Sequence, residues 1–230
     1  MDKIFTKNIE HESAVKHVTG KAIYTDDISE PKNLLHAVIG YSNCSKGVIK
    51  KIDYKDVLSS EGVVDIITEK DIEGINDVGP IFKGDKIFTS KNIEYYGQPI
   101  FAVIAKTNNL AKKAALKVKI DLKISKPIVS IEEALKKKSF VLKPKHLTRG
   151  NIKDGFKKSD NILKGKLYSG GQDHFYLEGQ IAMTIPQEDN NFLVYSSTQH
   201  PSETQQIIGK VLKQNYNSIH VIVRRIGGGF

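Results

Sequence analysis

The sequence has a single cysteine, Cys44, no tryptophan, and three arginines, Arg149, Arg224 and Arg225. One thiol excludes a disulfide framework and fits a reducing compartment. Cys44 sits in a turn-like stretch between Asn43 and Ser45, with no histidine beside it, and reads as an inert thiol. Long apolar runs are also missing. The longest is Pro99–Ala105, far short of the ~20 residues a membrane-spanning helix needs. Met1–Thr6 offers no hydrophobic stretch suited to a signal peptide. These absences together predict a cytoplasmic protein without a membrane segment.

The scarcity of arginine governs how the charge is read. The net charge is +9 and the pI near 9.3, yet 32 of the 35 basic residues are lysine. Nucleic-acid readers favour arginine, whose planar fork pairs with guanine and phosphate. Here the lysines scatter, without interleaved aromatics or zinc-finger spacing, so the charge reads as a solvated surface and not as a nucleic-acid interface. None of the seven histidines pairs with another at the i, i+4 spacing of a helical zinc site, and each reads as an ordinary side chain. With 39% hydrophobic residues and 230 in all, one large or two modest domains can bury a core without staples.

Residue patterns in the first half predict an α+β unit. Strands are expected at 35–40, 48–52, 63–67 and 99–105, the last buried by its near-continuous apolar character. Asp53 is placed to cap a helical turn over 54–60. Thr107 is placed to cap a helix whose face is Leu110, Ala111, Ala114, Ala115 and Val118, and period-two alternation over 118–124 predicts a half-exposed strand. Ser130 and Glu133 form a capping-box pair before a short helix over 131–138. The lysine-rich stretch 143–159, broken by Pro144, Gly150 and Gly155, reads mostly as a linker. Beyond it, strands are expected at 181–185 and 192–195, then a helix with Ser202 as N-cap and Ile207, Ile208, Val211 and Leu212 on its buried face, then a strand over 219–224.

Two glycine-rich segments stand out. In Ser169-Gly-Gly-Gln-Asp-His-Phe-Tyr-Leu-Glu178, paired glycines allow close backbone approach to a bound group and Gln172 offers both a donor and an acceptor; a tight turn before a strand accounts for them equally well. In Arg224-Arg-Ile-Gly-Gly-Gly-Phe230, a strand runs into three glycines whose N–H groups can face an anion or oxo ligand, or form a flexible tail. A buried-looking strand that stops at a glycine triplet reads as a chain that has been cut.

At these residues the sequence resembles the molybdenum-binding part of the xanthine dehydrogenase/aldehyde oxidase family. The carriers are His11–Ala14 with Val18–Ile28, Glu94–Ile100, Gly170–Gly179, Ser196–Pro201 and Arg224–Phe230, in order over nearly the whole chain. The resemblance implies an α+β fold: an α/β-hammerhead domain over 15–125, a linker over 126–160, and over 161–230 the opening of the first molybdopterin-binding domain. It implies a molybdenum–molybdopterin cofactor, with Gln172 and Phe230 beside the metal and Gly228 and Gly229 permitting the close approach. The activity implied is xanthine dehydrogenase, hydroxylation of a purine such as xanthine or hypoxanthine with oxygen from water; an aldehyde oxidase-type activity or a non-catalytic interaction module is the alternative. Electrons would leave through 2Fe-2S clusters and FAD to NAD, on an iron–sulfur/FAD subunit in a hetero-oligomer. The family's substrate-contacting glutamate, substrate-binding arginine and general-base glutamate match nothing in these 230 residues. No catalytic residue is therefore assigned, Glu178 does not match the base, and the chain alone is expected to be inactive.

Overall fold

The computed structural model describes residues 10–229. They divide into one unit made of residues up to Ser125 together with those from Phe175 onward, and a second unit, Lys126–His174.

The larger unit holds three three-stranded sheets. In the first, β5 (Pro99–Ala105) lies between β1 (His36–Tyr41) and β3 (Val63–Ile67), antiparallel to both. A strand paired on both edges and covered on its faces must be apolar throughout. Pro-Ile-Phe-Ala-Val-Ile-Ala meets that requirement, with Ile100, Phe101, Ala102, Val103 and Ala105 buried. In the second sheet, β2 (Gly47–Asp53) lies between β4 (Asn92–Ile93) and β6 (Lys119–Ile124). The alternation along β6 puts Ile120 and Leu122 against the core and its charged neighbours outward. Ile49 of β2 and Ile93 of β4 join Ile100, Phe101 and Val103 of β5 in one cluster that the two sheets share.

Helices seal this core. The helix α3 (Asn108–Ala115) packs on β1 and β5. The Thr107 side chain caps it by accepting the Leu110 N–H at 3.2 Å, and Ala111 and Ala114 face inward. The other contributor is α2 (Lys55–Leu58), which buries Val57. Its N-cap is Tyr54, one residue later than the sequence suggested, but Asp53 still serves the helix start by accepting the Lys55 N–H at 2.9 Å. Near the N-terminus a single turn, α1 (Ala14–Val18), precedes the first sheet.

Tyr54 stands edge-on to Phe101, their ring centroids 5.2 Å apart. Burial, with a smaller contribution from the Asp71 charge, pushes its phenol up to about 12. A group whose folded pKa is raised gives stability that is complete below its ordinary pKa, about 10, and is lost as pH rises through the folded value. Tyrosinate absorbance should therefore show a last component near pH 12 among the nine tyrosines, coinciding with alkaline unfolding. Tyr54→Phe should remove that component; a Tyr54→Phe titration curve that keeps it would contradict this environment.

The third sheet has the order β7-β8-β9, with β7 (Ala182–Pro186) antiparallel and β9 (Ile219–Ile222) parallel to the central β8 (Phe192–Ser196). A parallel neighbour demands a crossover. The intervening helix, α6 (Pro201–Leu212), supplies it. Its N-cap is His200 and not Ser202: the His200 Nδ1 accepts the Glu203 N–H at 3.2 Å, and Pro201 takes the first helical position, where its missing N–H costs nothing. Gln205 donates from Nε2 to the Ile219 carbonyl at 2.7 Å, tying the helix to β9. Leu212, expected on the buried face, is exposed.

In the second unit lie α4 (Ile131–Lys136) and α5 (Ile152–Lys158). Ser130 caps the first by accepting the Glu133 N–H at 3.2 Å, with a Glu133–Lys137 ion pair of 2.6 Å one turn on. The second falls within the stretch read as mostly linker; Asn151 nucleates it by accepting the Lys153 N–H at 3.0 Å. None of the described residues of this unit is buried.

Candidate functional site

The motif residues fall into two groups. Some are architectural. In Glu94–Ile100, Gln98 is buried and its Oε1 accepts the Glu94 N–H at 2.8 Å, while its carbonyl accepts the Ser42 N–H at 2.9 Å. That glutamine closes the turn into β5 and faces no solvent. Cys44 is free and half-buried beside Ser42, whose hydroxyl lies 3.8 Å from its sulfur.

The other group gathers where the glycine segment leaves β9. Glu178, at the end of the Gly170–Gly179 motif, is half-buried. One carboxylate oxygen accepts the Gly227 N–H at 3.0 Å, and the other accepts the Thr25 N–H at 3.1 Å. The neighbouring Leu177 N–H donates to the Gly227 carbonyl at 3.1 Å, so both polar ends of this glycine are held by residues 177 and 178. A Cβ on Gly227 would stand 2.6 Å from the Glu178 backbone nitrogen, closer than any side chain tolerates. Only glycine fits there. Thr25 is presented by a short turn, Thr25–Asp27, in which Asp27 accepts the Tyr24 N–H at 2.9 Å. Arg225 completes the arrangement: its Nη1 donates to the Ile23 carbonyl at 2.6 Å, and its Nε is buried without a partner among the described residues. Beside these contacts is a cavity of about 330 Å³, walled by Tyr24, Thr25, Tyr195, Ile222, Arg224 and Arg225.

Gly228 and Gly229 follow and are exposed. A Cβ on Gly229 would lie 2.9 Å from Oε1 of Gln199, so the Ser196–Pro201 motif places a neutral amide beside the triplet. Gln172 is exposed in irregular chain and belongs to the 126–174 unit, whereas Gly228 and Gly229 belong to the other. Phe230 lies outside the described residues. Among the described residues no group of three histidine, cysteine or acidic side chains is arranged to hold a metal ion directly, and no helix is long and apolar enough to cross a membrane.

This donor set suits an anionic, oxo-bearing group: exposed glycine amides, the Gln199 amide, and a carboxylate whose two oxygens are already taken by N–H groups. In the sequence Glu178 is a carboxylate that matches no catalytic base, and Gln199 carries no signal beyond its place in the Ser196–Pro201 motif. A carboxylate between two backbone donors leaves no mark in sequence when the donors come from 153 and 49 residues away.

Over residues 19–126 the sequence matches the aldehyde oxidase and xanthine dehydrogenase a/b hammerhead domain, and over 133–230 the molybdopterin cofactor-binding domain. It is 38% identical over 225 residues to the xanthine dehydrogenase of Dictyostelium discoideum, covering 98% of this chain and 16% of that protein. With aldehyde oxidase 2 of Macaca fascicularis it shares 37% identity over 224 residues, 96% of this chain and 16% of that one. The aldehyde oxidoreductase of Desulfovibrio gigas superimposes with a TM-score of 0.81 at 25% identity, over 95% of this chain and 26% of that chain. The chain thus spans about a sixth of the length of the curated relatives it matches. It belongs to the xanthine dehydrogenase/aldehyde oxidase family of molybdenum hydroxylases and carries the family's α/β-hammerhead and the start of its molybdopterin-binding domain.

Proposed function

We propose that this chain supplies part of the molybdenum–molybdopterin site of a purine hydroxylase acting on xanthine or hypoxanthine, within an enzyme larger than these 230 residues. The observation that carries the reading is the glycine segment after β9. It is fixed by Glu178 and Arg225 while Gly228 and Gly229 stay exposed, as a backbone must be to approach a cofactor. By the family resemblance, Gln172, Gly228, Gly229 and Phe230 would be the residues that hold the cofactor, with Gln172 and Phe230 assigned to the metal. The hammerhead domain occupies 15–125, a connecting stretch 126–160, and the molybdopterin domain opens over 161–230. When bound, the cofactor supplies two-electron oxidation of a substrate carbon with oxygen from water. The chain's own contribution is orientation by neutral amides and backbone N–H groups, with no carboxylate left unpaired at the Gly227 end of the triplet. In such an enzyme the electrons would leave through 2Fe-2S clusters and FAD to NAD on a partner subunit or domain, in a cytoplasmic hetero-oligomer.

Similarity to aldehyde oxidase 2 at 37% identity, against 38% for the xanthine dehydrogenase, favours oxidation of an aldehyde as the second reading. The test begins by reading the coding sequence past codon 230. An open frame that continues should give a product that binds molybdenum and turns over xanthine in preference to an aromatic aldehyde. The reverse preference selects the second reading, and a product without molybdenum removes both. The isolated 230-residue chain should give no turnover with xanthine and an electron acceptor; genuine turnover would show that the residues needed for catalysis lie inside it.

A further inference from the structure

We propose that Glu178 is a positioning residue: its carboxylate latches the glycine segment to the Thr25 turn and so fixes the direction in which Gly228 and Gly229 leave β9. This deepens the reading of the glycine segment as cofactor-facing and rests on it.

An ionised carboxylate is acceptor-only, and here each of its oxygens meets one backbone N–H, Gly227 at 3.0 Å and Thr25 at 3.1 Å. Bonds to a charged acceptor are about twice as strong as neutral ones, so one side chain ties two segments that no sheet joins. Three further contacts involve the same segments. The Leu177 N–H holds the Gly227 carbonyl, the missing Cβ of Gly227 lets the Glu178 backbone close in, and Arg225 binds the Ile23 carbonyl at 2.6 Å. Segments 23–25, 177–178 and 225–227 are thereby locked together. Both oxygens are engaged by backbone N–H groups, so the carboxylate's observed partners are chain and not another side chain. With the peptide units on both sides of Gly227 held, one through its N–H and the next through its carbonyl, the direction in which the chain enters Gly228 is set.

Glutamine in this position can accept only one of the two N–H groups and turns an NH2 toward the other, donor against donor. The first experiment uses the cofactor-free 230-residue chain, labelled with 15N and 13C. Scalar couplings transmitted through hydrogen bonds should connect the Gly227 and Thr25 amide nitrogens to one and the same carboxylate carbon, that of Glu178. Absence of either correlation overturns the latch, and no variant is needed to see it. In Glu178→Gln, the Gly227 and Thr25 amides should exchange about tenfold faster or more. The Gly228 and Gly229 resonances should shift, while the Val103 and Ile104 amides of β5 remain protected. Unmoved Gly228 and Gly229 resonances would reduce Glu178 to local packing and refute positioning. All these readouts are independent of cofactor: a molybdenum-free long product removes the functional reading and leaves the latch standing, and a missing correlation does the converse.

Discussion

Phe101→Ala is expected to cost about 3–5 kcal/mol of folding stability, read as a lowered urea midpoint. Phe101 is wholly buried in the central strand of the first sheet, within the cluster that both hammerhead sheets share. Its ring has two uses. One is the edge-on contact with Tyr54. The other is to cover Gly40, its cross-strand partner in β1, whose missing Cβ makes room for the ring tip. A glycine in a strand gives up side-chain packing, and an aromatic laid over it restores that packing. The pair should therefore be strongly coupled. Gly40→Ala should destabilise the wild-type chain by about 1–3 kcal/mol through overpacking, and should cost much less in the Phe101→Ala background, where the space is empty. Additive losses would show that the two residues do not share that volume.

Gly74→Ala should be nearly as damaging. The last carbonyls of a helix have no partner within it. In α6 the Val211 and Lys210 carbonyls are met by the Gly74 and Ile75 N–H groups, at 2.8 and 3.1 Å. Gly74 does not need a left-handed backbone; it needs to be small, because a Cβ would overlap the Lys210 carbonyl oxygen and stand 2.5 Å from that of Val211. Relieving the overlap moves the segment away and breaks both bonds. The cost is about 1–3 kcal/mol for the steric term and roughly 1 kcal/mol for each bond lost. Urea unfolding gives the total, and hydrogen exchange should place the loss at the Gly74 and Ile75 amides. A variant within about 0.5 kcal/mol of wild type would mean that this contact does not hold α6 in place.

Elements whose cause is local could be found from sequence. Burial on both faces wrote an apolar run into β5, one solvated face wrote the alternation of β6, and the Thr107 and Ser130 caps are short-range hydrogen bonds. Elements whose cause is distant could not. The two-residue strand β4 exists because β2 offers it an edge. In α6 the available signal was Pro201, which marks a first helical position and makes the preceding His200 the cap; a serine one residue on drew the assignment away. Asn151 was a cap signal inside a stretch judged by its lysines and glycines. The same division runs through the site. Glycine triplets and the Gln172 motif are contiguous and visible, whereas Gln199 beside Gly229 and the double acceptance by Glu178 arise only on folding.

The bond from Arg225 to the Ile23 carbonyl spans 202 positions of the chain. On a ribosome adding ~5–20 residues per second, its two ends are synthesised about 10–40 s apart. The first two sheets use nothing beyond Ile124 and can assemble in that interval, leaving the Ile23–Thr25 turn without its partners until Glu178 and Arg225 have been added. Contacts of such long sequence separation form late, so changes at Glu178 or Arg225 belong to the unfolding rate and leave the refolding rate nearly untouched. The segment proposed to face the cofactor is thus tied down by contacts of long sequence separation, unlike the first two sheets.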